Sequence, residues 1–212
     1  KMKITKLKGG SLSSTSSHEY SDTKFIRKYV SRKVDREYGY VRWYSQLKKL
    51  QRLSKTGLFP KVLNIGADNE GAYFDIEYLN GYQDIKTIFS ENLLSIDKIK
   101  KINDAIWHSF EVLHKTKYPV NIGACSLYFK EEVIQKLSDA LKYENFFNFY
   151  GLDVFEYNGN FTCGIQKYLE KLENFFDKAL LFSEEDIHGN PTLENMMYSF
   201  EEDKVIFIDP YE

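Results

Sequence analysis

The tetrapeptide His188-Gly189-Asn190-Pro191 is followed, five residues beyond Asn190, by a second amide, Asn195. Further on, the apolar run Val205-Ile206-Phe207-Ile208 ends on a carboxylate, Asp209. A charged tip, Glu201-Glu202-Asp203-Lys204, separates the two. The spacing predicts a hairpin flanked by two oxygen-bearing side chains, Asn195 and Asp209. A hard cation such as Mg²⁺ takes one or two protein oxygens and fills its shell with phosphate oxygens and water. Phosphoryl transfer also needs a polar group just ahead of those ligands, to orient an attacking hydroxyl. Asn190 stands there. Its amide oxygen can accept a hydrogen bond, but it cannot take up the proton as a carboxylate would.

This order of residues resembles the catalytic segment of the aminoglycoside phosphotransferase and choline kinase branch of the protein-kinase-like fold. That branch carries His-Gly-Asp, an Asn five residues on, and then Ile-Asp. His188, Gly189, Asn195, Ile208 and Asp209 match it. Asn190 departs from it, standing where the family has Asp. The Pro191-Thr192 and Asp209-Pro210 details are most similar to phosphotransferases encoded with bacterial surface-polysaccharide enzymes.

The resemblance implies an α+β, two-lobed fold. A small N-terminal antiparallel sheet with one helix is expected over residues 1–79. A mostly helical lobe with the catalytic hairpin is expected over 80–212. It implies ATP, or alternatively GTP, as phosphoryl donor, with Mg²⁺ on Asn195 and Asp209. The acceptor would be a hydroxyl of a sugar or sugar-like metabolite; choline or ethanolamine is the alternative. Asn190 would face that hydroxyl, so the chain is expected to be an impaired, Asp-to-Asn form of an active enzyme. The other reading is a natural nucleotide-binding module without transfer. His188 is implied to hold the loop by backbone hydrogen bonds rather than to shuttle protons.

The elements that must position these groups come earlier. Residues 2–10 alternate as a strand and end on Gly9-Gly10; Ser11–Ser17 is a run of small residues; 24–30 reads as a second strand. A hairpin with a small-residue tip lets backbone N–H groups approach an anion, which points to Gly10 and Ser11. Ile26 and Lys28 lie two apart, on one face of a strand. The resemblance sets Ile26 beneath the adenine and Lys28 on the α and β phosphates. Residues 35–53 are expected to be helical, with Val41, Tyr44, Leu47 and Leu50 inward and Gly57 as the stop. That phase turns Glu37 inward as well, where an acid needs a partner, and Lys28 is the natural one. Two further strands are expected at 59–63 and 72–76. Glu77-Tyr78-Leu79-Asn80-Gly81 resembles the family's hinge, where backbone groups of Glu77 and Leu79 would meet the adenine edge.

The remainder reads as helices: 94–115, with Ile96, Ile99, Ile102, Ile106, Phe110 and Leu113 as its apolar stripe, then 127–141 and 166–181. The aromatic-dense stretch 143–163 reads as packing between helices or as a wall for the acceptor. Glu184, Glu185 and Asp186 suggest a place for a cationic acceptor. A formal net charge of −2 gives no basic field for nucleic acid. Cys125 and Cys163 lack metal-ligand spacing, and no apolar run approaches a membrane span. A cytoplasmic protein without nucleic-acid or membrane partners is expected.

Overall fold

The computed structural model describes residues 2–7, 13–34, 36–91, 94–115, 129–171 and 186–210. Three N-terminal strands run in succession: β1 (Lys3–Lys6), β2 (Ser14–Tyr20) and β3 (Thr23–Ser31). After a π-helical turn (Arg36–Val41), helix α1 spans Arg42–Leu53; β4 (Val62–Ala67) and β5 (Gly71–Glu77) follow. These five described strands form one antiparallel sheet in the order β1-β2-β3-β5-β4. The α+β class expected of a kinase-like chain is therefore observed.

The Ser-rich run was expected to be a loop, yet residues 14–20 form β2. A two-residue turn with Ser21 at φ 49° closes it onto β3, pairing Tyr20 with Thr23. Pairing on both sides, with β1 and with β3, outweighs the weak strand preference of serine.

Helix α1 packs by Trp43, Leu47, Leu50 and Leu53, all buried. Val41 and Tyr44, expected inward, are exposed. The π turn ahead of α1 changes the rotation per residue, so a phase carried from residue 35 onward arrives displaced.

Beyond the sheet come β6 (Gln83–Asp84), α2 (Ile85–Glu91) and α3 (Ile96–His114). Ser95 caps α3, accepting the N–H of Lys98. Ile102, Ile106, Phe110 and Leu113 reach the core, whereas Ile96 and Ile99 stay exposed. A 3-10 turn (Leu193–Asn195) leads into β9 (Met196–Ser199), which pairs with β10 (Lys204–Phe207) and with β6. Phe207 is fully buried among the rings of Phe59, Phe110 and His188, at 5.6, 5.1 and 5.3 Å.

The chain forms two compact units whose limits differ from the expected 79/80 division. One comprises Lys1–Thr116 with Asp186–Glu212, the other Lys117–Glu185. Pairing of β6 with β9, and the Phe207 N–H donated to the Leu58 carbonyl at 2.8 Å, join the last segment to the first. In the second unit a π-helical turn (Lys130–Gln135) runs into α4 (Lys136–Ala140). Then come α5 (Glu144–Tyr150), the hairpin β7 (Val154–Tyr157) and β8 (Asn160–Cys163), and a helical stretch 165–171. The aromatic-dense stretch is thus half hairpin. Tyr143, Phe147, Tyr157 and Phe161 are exposed rather than packed between helices. Residues 116–128 and 172–185, which carry the start of the expected 127–141 helix and the end of the 166–181 helix, lie outside the described residues.

The aromatic cluster gives a direct test. Phe207→Ala is expected to cost about 3–5 kcal/mol in urea unfolding, and Ile96→Ala less than about 0.5. Similar losses at both positions would contradict the packing.

Candidate functional site

Lys28 lies in the middle of β3, hydrogen-bonded on both sides to β2 and β5. Only 4% of it is exposed. Ile26 and Val30 share its face, and Phe74 of β5 lies opposite it. Trp43 of α1 packs its ring, tilted, 5.3 Å from that of Phe74 and donates its Nε1–H to the Lys28 carbonyl at 3.2 Å. An ammonium in such surroundings costs several kcal/mol unless it is paired. Its Nζ makes a short ion pair with Asp209 and also donates to Gln46 Oε1 at 3.2 Å.

Asp209 follows β10 with φ 54°, left-handed backbone that aspartate tolerates better than most residues. The hairpin joins it to Asn195, because the Ile208 N–H donates to the Asn195 carbonyl at 2.9 Å. The Asn195 side chain donates Nδ2 to the Asn190 carbonyl at 3.0 Å, which leaves its Oδ1 as an acceptor. One carboxylate and one amide oxygen at the foot of a hairpin suit a hard cation. Among the described residues there is no group of three or more His, Cys, Asp or Glu that could hold a metal alone. A donor set of one carboxylate and one amide oxygen is of the kind that Mg²⁺ takes together with phosphate oxygens.

The turn before Asn195 is fixed from below. His188 is fully buried against Phe59 and Phe207. Its Nε2 donates to the Ile208 carbonyl at 2.8 Å, and its Nδ1 accepts the Asn190 N–H at 3.2 Å. Both nitrogens are engaged in a way that only one neutral tautomer satisfies. Burial pushes its pKa down to about 4; the Ile208 hydrogen bond opposes that shift, the Lys49 charge adds to it, and Asp209 opposes it. Gly189 has φ 87°, which lets the Asn190 N–H fold back onto the ring. The side chain of Asn190 is left exposed.

Asp186 belongs to this scaffold rather than to an acceptor cleft, correcting the expectation from its acidic neighbours. It is buried and held at both oxygens by Arg52, at 3.0 and 3.3 Å, and it also accepts the Ile187 N–H.

The expected residues sort as follows. The structure brings together Lys28, Asp209, Asn195 and the backbone of Asn190, with Ile26 on the face of Lys28. Gly10 and Ser11 lie outside the described residues. So does the side chain of Glu37, and the helix residue that meets Lys28 is Gln46. Glu77 ends β5; its N–H donates to the Lys61 carbonyl at 3.0 Å and its carboxylate accepts the Lys61 N–H at 3.0 Å. The Leu79 carbonyl accepts the Tyr82 N–H at 3.4 Å. Sequence reasoning missed Gln46 and Arg52. The signal lay in Trp43, Leu47, Leu50 and Leu53, whose spacing gives the true phase and puts Gln46 beside that face. An open hollow of about 600 Å³ between α1 and β4, lined by Gln51, Ser54 and Lys61 to Ile65, contains none of these residues.

No protein-family model matches the chain, and no curated protein matches it. Among solved structures, it is similar to the crystal structure of Rad53 1-466 in complex with AMP-PNP, at 15% identity and a TM-score of 0.44. The similarity covers 54% of this chain and 31% of that one, so the chain spans about a third of that structure's length. At that TM-score the likeness carries no argument. The fold rests on the topology and register described above. Among the described residues, no helix is long and apolar enough to cross a membrane.

The buried imidazole makes stability depend on pH. His188 binds its proton near pH 4 when folded and near 6.5 when unfolded. The unfolded chain therefore holds more protons between those values, and stability present above pH 6.5 is lost as pH falls toward 4. The full loss is about 3 kcal/mol. Urea midpoints measured from pH 7 to 4 should fall, and less steeply in His188→Gln, which can keep both hydrogen bonds without titrating.

Proposed function

We propose that this site binds ATP with Mg²⁺ and belongs to a small-molecule kinase. Its reaction would transfer the γ-phosphoryl group to a hydroxyl of a sugar or sugar-like metabolite, and this chain is an impaired form because residue 190 is Asn. The observation that carries the reading is the buried Lys28 paired with Asp209, on a hairpin that also presents Asn195.

Lys28 would place its ammonium on the α and β phosphates. GTP would meet the same ammonium. Asn195 and Asp209 would hold Mg²⁺, which neutralises charge on the phosphate oxygens when bound. Ile26, on the Lys28 face, would lie under the base. Backbone groups of Glu77 and Leu79 would meet the adenine edge, with the Glu77 N–H itself donated to the Lys61 carbonyl. Gly10 and Ser11 would cover the phosphates with backbone N–H groups. Asn190 would accept a hydrogen bond from the acceptor hydroxyl and orient it, without taking its proton.

The family resemblance to aminoglycoside phosphotransferases and choline kinases supports the acceptor class. A second reading, nucleotide binding without transfer, is favoured by one observation: the side chain at position 190 has no ionisable group.

Restoring the carboxylate separates the two. Asn190→Asp, assayed with ATP, Mg²⁺ and a panel of sugars and amino alcohols, is expected to raise phosphoryl transfer about 10²–10⁴-fold. Nucleotide affinity should hardly change. Lys28→Met in the same background should abolish transfer. ATP binding with no turnover on any acceptor after the reversion would leave the silent nucleotide-binding module as the correct reading.

A further inference from the structure

We propose that Gln46 is a positioning residue of this site, an amide clamp holding Lys28 with one arm and the backbone beyond Asp209 with the other; the inference rests on the nucleotide-binding reading above. Gln46 lies midway along α1, partly buried beside Trp43, Leu47 and Leu50. Its Oε1 accepts from Lys28 Nζ at 3.2 Å, and its Nε2 donates to the Pro210 carbonyl over a longer 3.5 Å. Chemistry fixes which end faces which group. The ammonium has only donors and the carbonyl only lone pairs, so the oxygen must face Lys28 and the nitrogen Pro210.

A glutamate at this position could make the first contact only. It would face the Pro210 carbonyl acceptor to acceptor, and it would place a second negative charge beside Lys28. The neutral amide leaves Lys28 with Asp209 as its charged partner among the described side chains. Lys28 can then turn from Asp209 toward a phosphate oxygen without losing its contact with the helix. Asp209 is released for a cation in the same movement, while Pro210 stays tied to α1. Gln46 thereby couples the two halves of the site, the phosphate-binding ammonium and the cation-binding carboxylate.

Two measurements test this. In the nucleotide-free protein, Gln46→Leu and Lys28→Met are combined in a double-mutant cycle read as Tm. The shifts should be strongly non-additive, with the double variant close to Lys28→Met alone. Additive shifts would overturn the proposal whatever the ligand. By calorimetric titration with ATP and Mg²⁺, Gln46→Leu should bind about tenfold more weakly than the unaltered chain. Gln46→Glu, which keeps the Lys28 contact but adds a negative charge beside it and loses the Pro210 contact, should bind ATP no more tightly than Gln46→Leu. It should not recover the strengthening that Mg²⁺ gives to ATP binding, because the Pro210 contact is gone. Equal affinity in Gln46→Leu and the unaltered chain refutes the clamp. If the unaltered chain binds no ATP, the nucleotide reading fails instead, and the Tm cycle still decides whether Gln46 acts through Lys28.

Discussion

A single ammonium group, withdrawn from water in the middle of a sheet, is what the first unit is built to accommodate. Lys28 comes from the second strand of a hairpin near the N-terminus, and its charged partner Asp209 lies 181 residues further along the chain. The lysine could not stay there without a partner. An unpaired charge in that position is costly enough to expel the side chain, and truncating one partner of a buried pair typically costs about 3–5 kcal/mol. The burial is lopsided: the lysine side chain is nearly closed off, whereas 36% of the aspartate side chain is exposed. The pair is therefore anchored at its cationic end and open at its anionic end, which on the proposed reading leaves Asp209 within reach of a cation.

Helix α1 decides how rigidly that pair is held. Its apolar face packs on the sheet through Trp43, Leu47, Leu50 and Leu53, and its flank carries Gln46 and Arg52 to two points of the C-terminal segment. One rigid element thus touches the strand bearing Lys28, the backbone after Asp209 and the Asp186 carboxylate that precedes the His188 turn. His188 completes the scaffold from beneath, taking the Asn190 N–H on one nitrogen and giving its proton to Ile208 on the other. The same ring that fixes the turn is kept neutral by the apolar walls around it. The His-Gly-Asn turn is consequently held by packing and by backbone hydrogen bonds, not by charge.

What was legible in the sequence was local. The hairpin from Asn195 to Asp209 announces itself by an apolar run and a charged tip within about ten residues. Ile26 and Lys28 share a face because strand periodicity admits no other outcome. What failed was non-local or phase-dependent. A π turn displaced the phase of α1, so the face beside Lys28 carries Gln46, which the local pattern did not single out. Strand β2 is made of residues with little strand preference and exists because β1 and β3 pair with it on either side. The pairing of β6 with β9, both beyond residue 80, is likewise a contact no local pattern signals. Aromatic density at 143–163 was read as packing, but hydrophobic content alone does not say which faces an α5 and β7–β8 arrangement covers.

On the proposed reading two amides line the site, Gln46 beside the lysine and Asn190 where the resembled family has Asp. Their combined effect is on charge. Among the described side chains of the site, Asp209 is the one carboxylate not committed to the scaffold, since Asp186 is spent on Arg52. Each removed carboxylate also removes repulsion toward a polyanion, which at an effective dielectric near 20 amounts to several kcal/mol at contact distance and less farther out. Within the proposed reading, the amide at 46 leaves the lysine charge undivided for phosphate, and the amide at 190 gives up proton acceptance without adding negative charge. Both changes favour holding a nucleotide over turning it over, and both leave the cation ligands Asn195 and Asp209 in place. On that reading, retained ligands beside a neutral residue 190 would leave a site that receives a nucleotide but turns it over slowly, with Asn190 acting on the rate and not on the architecture.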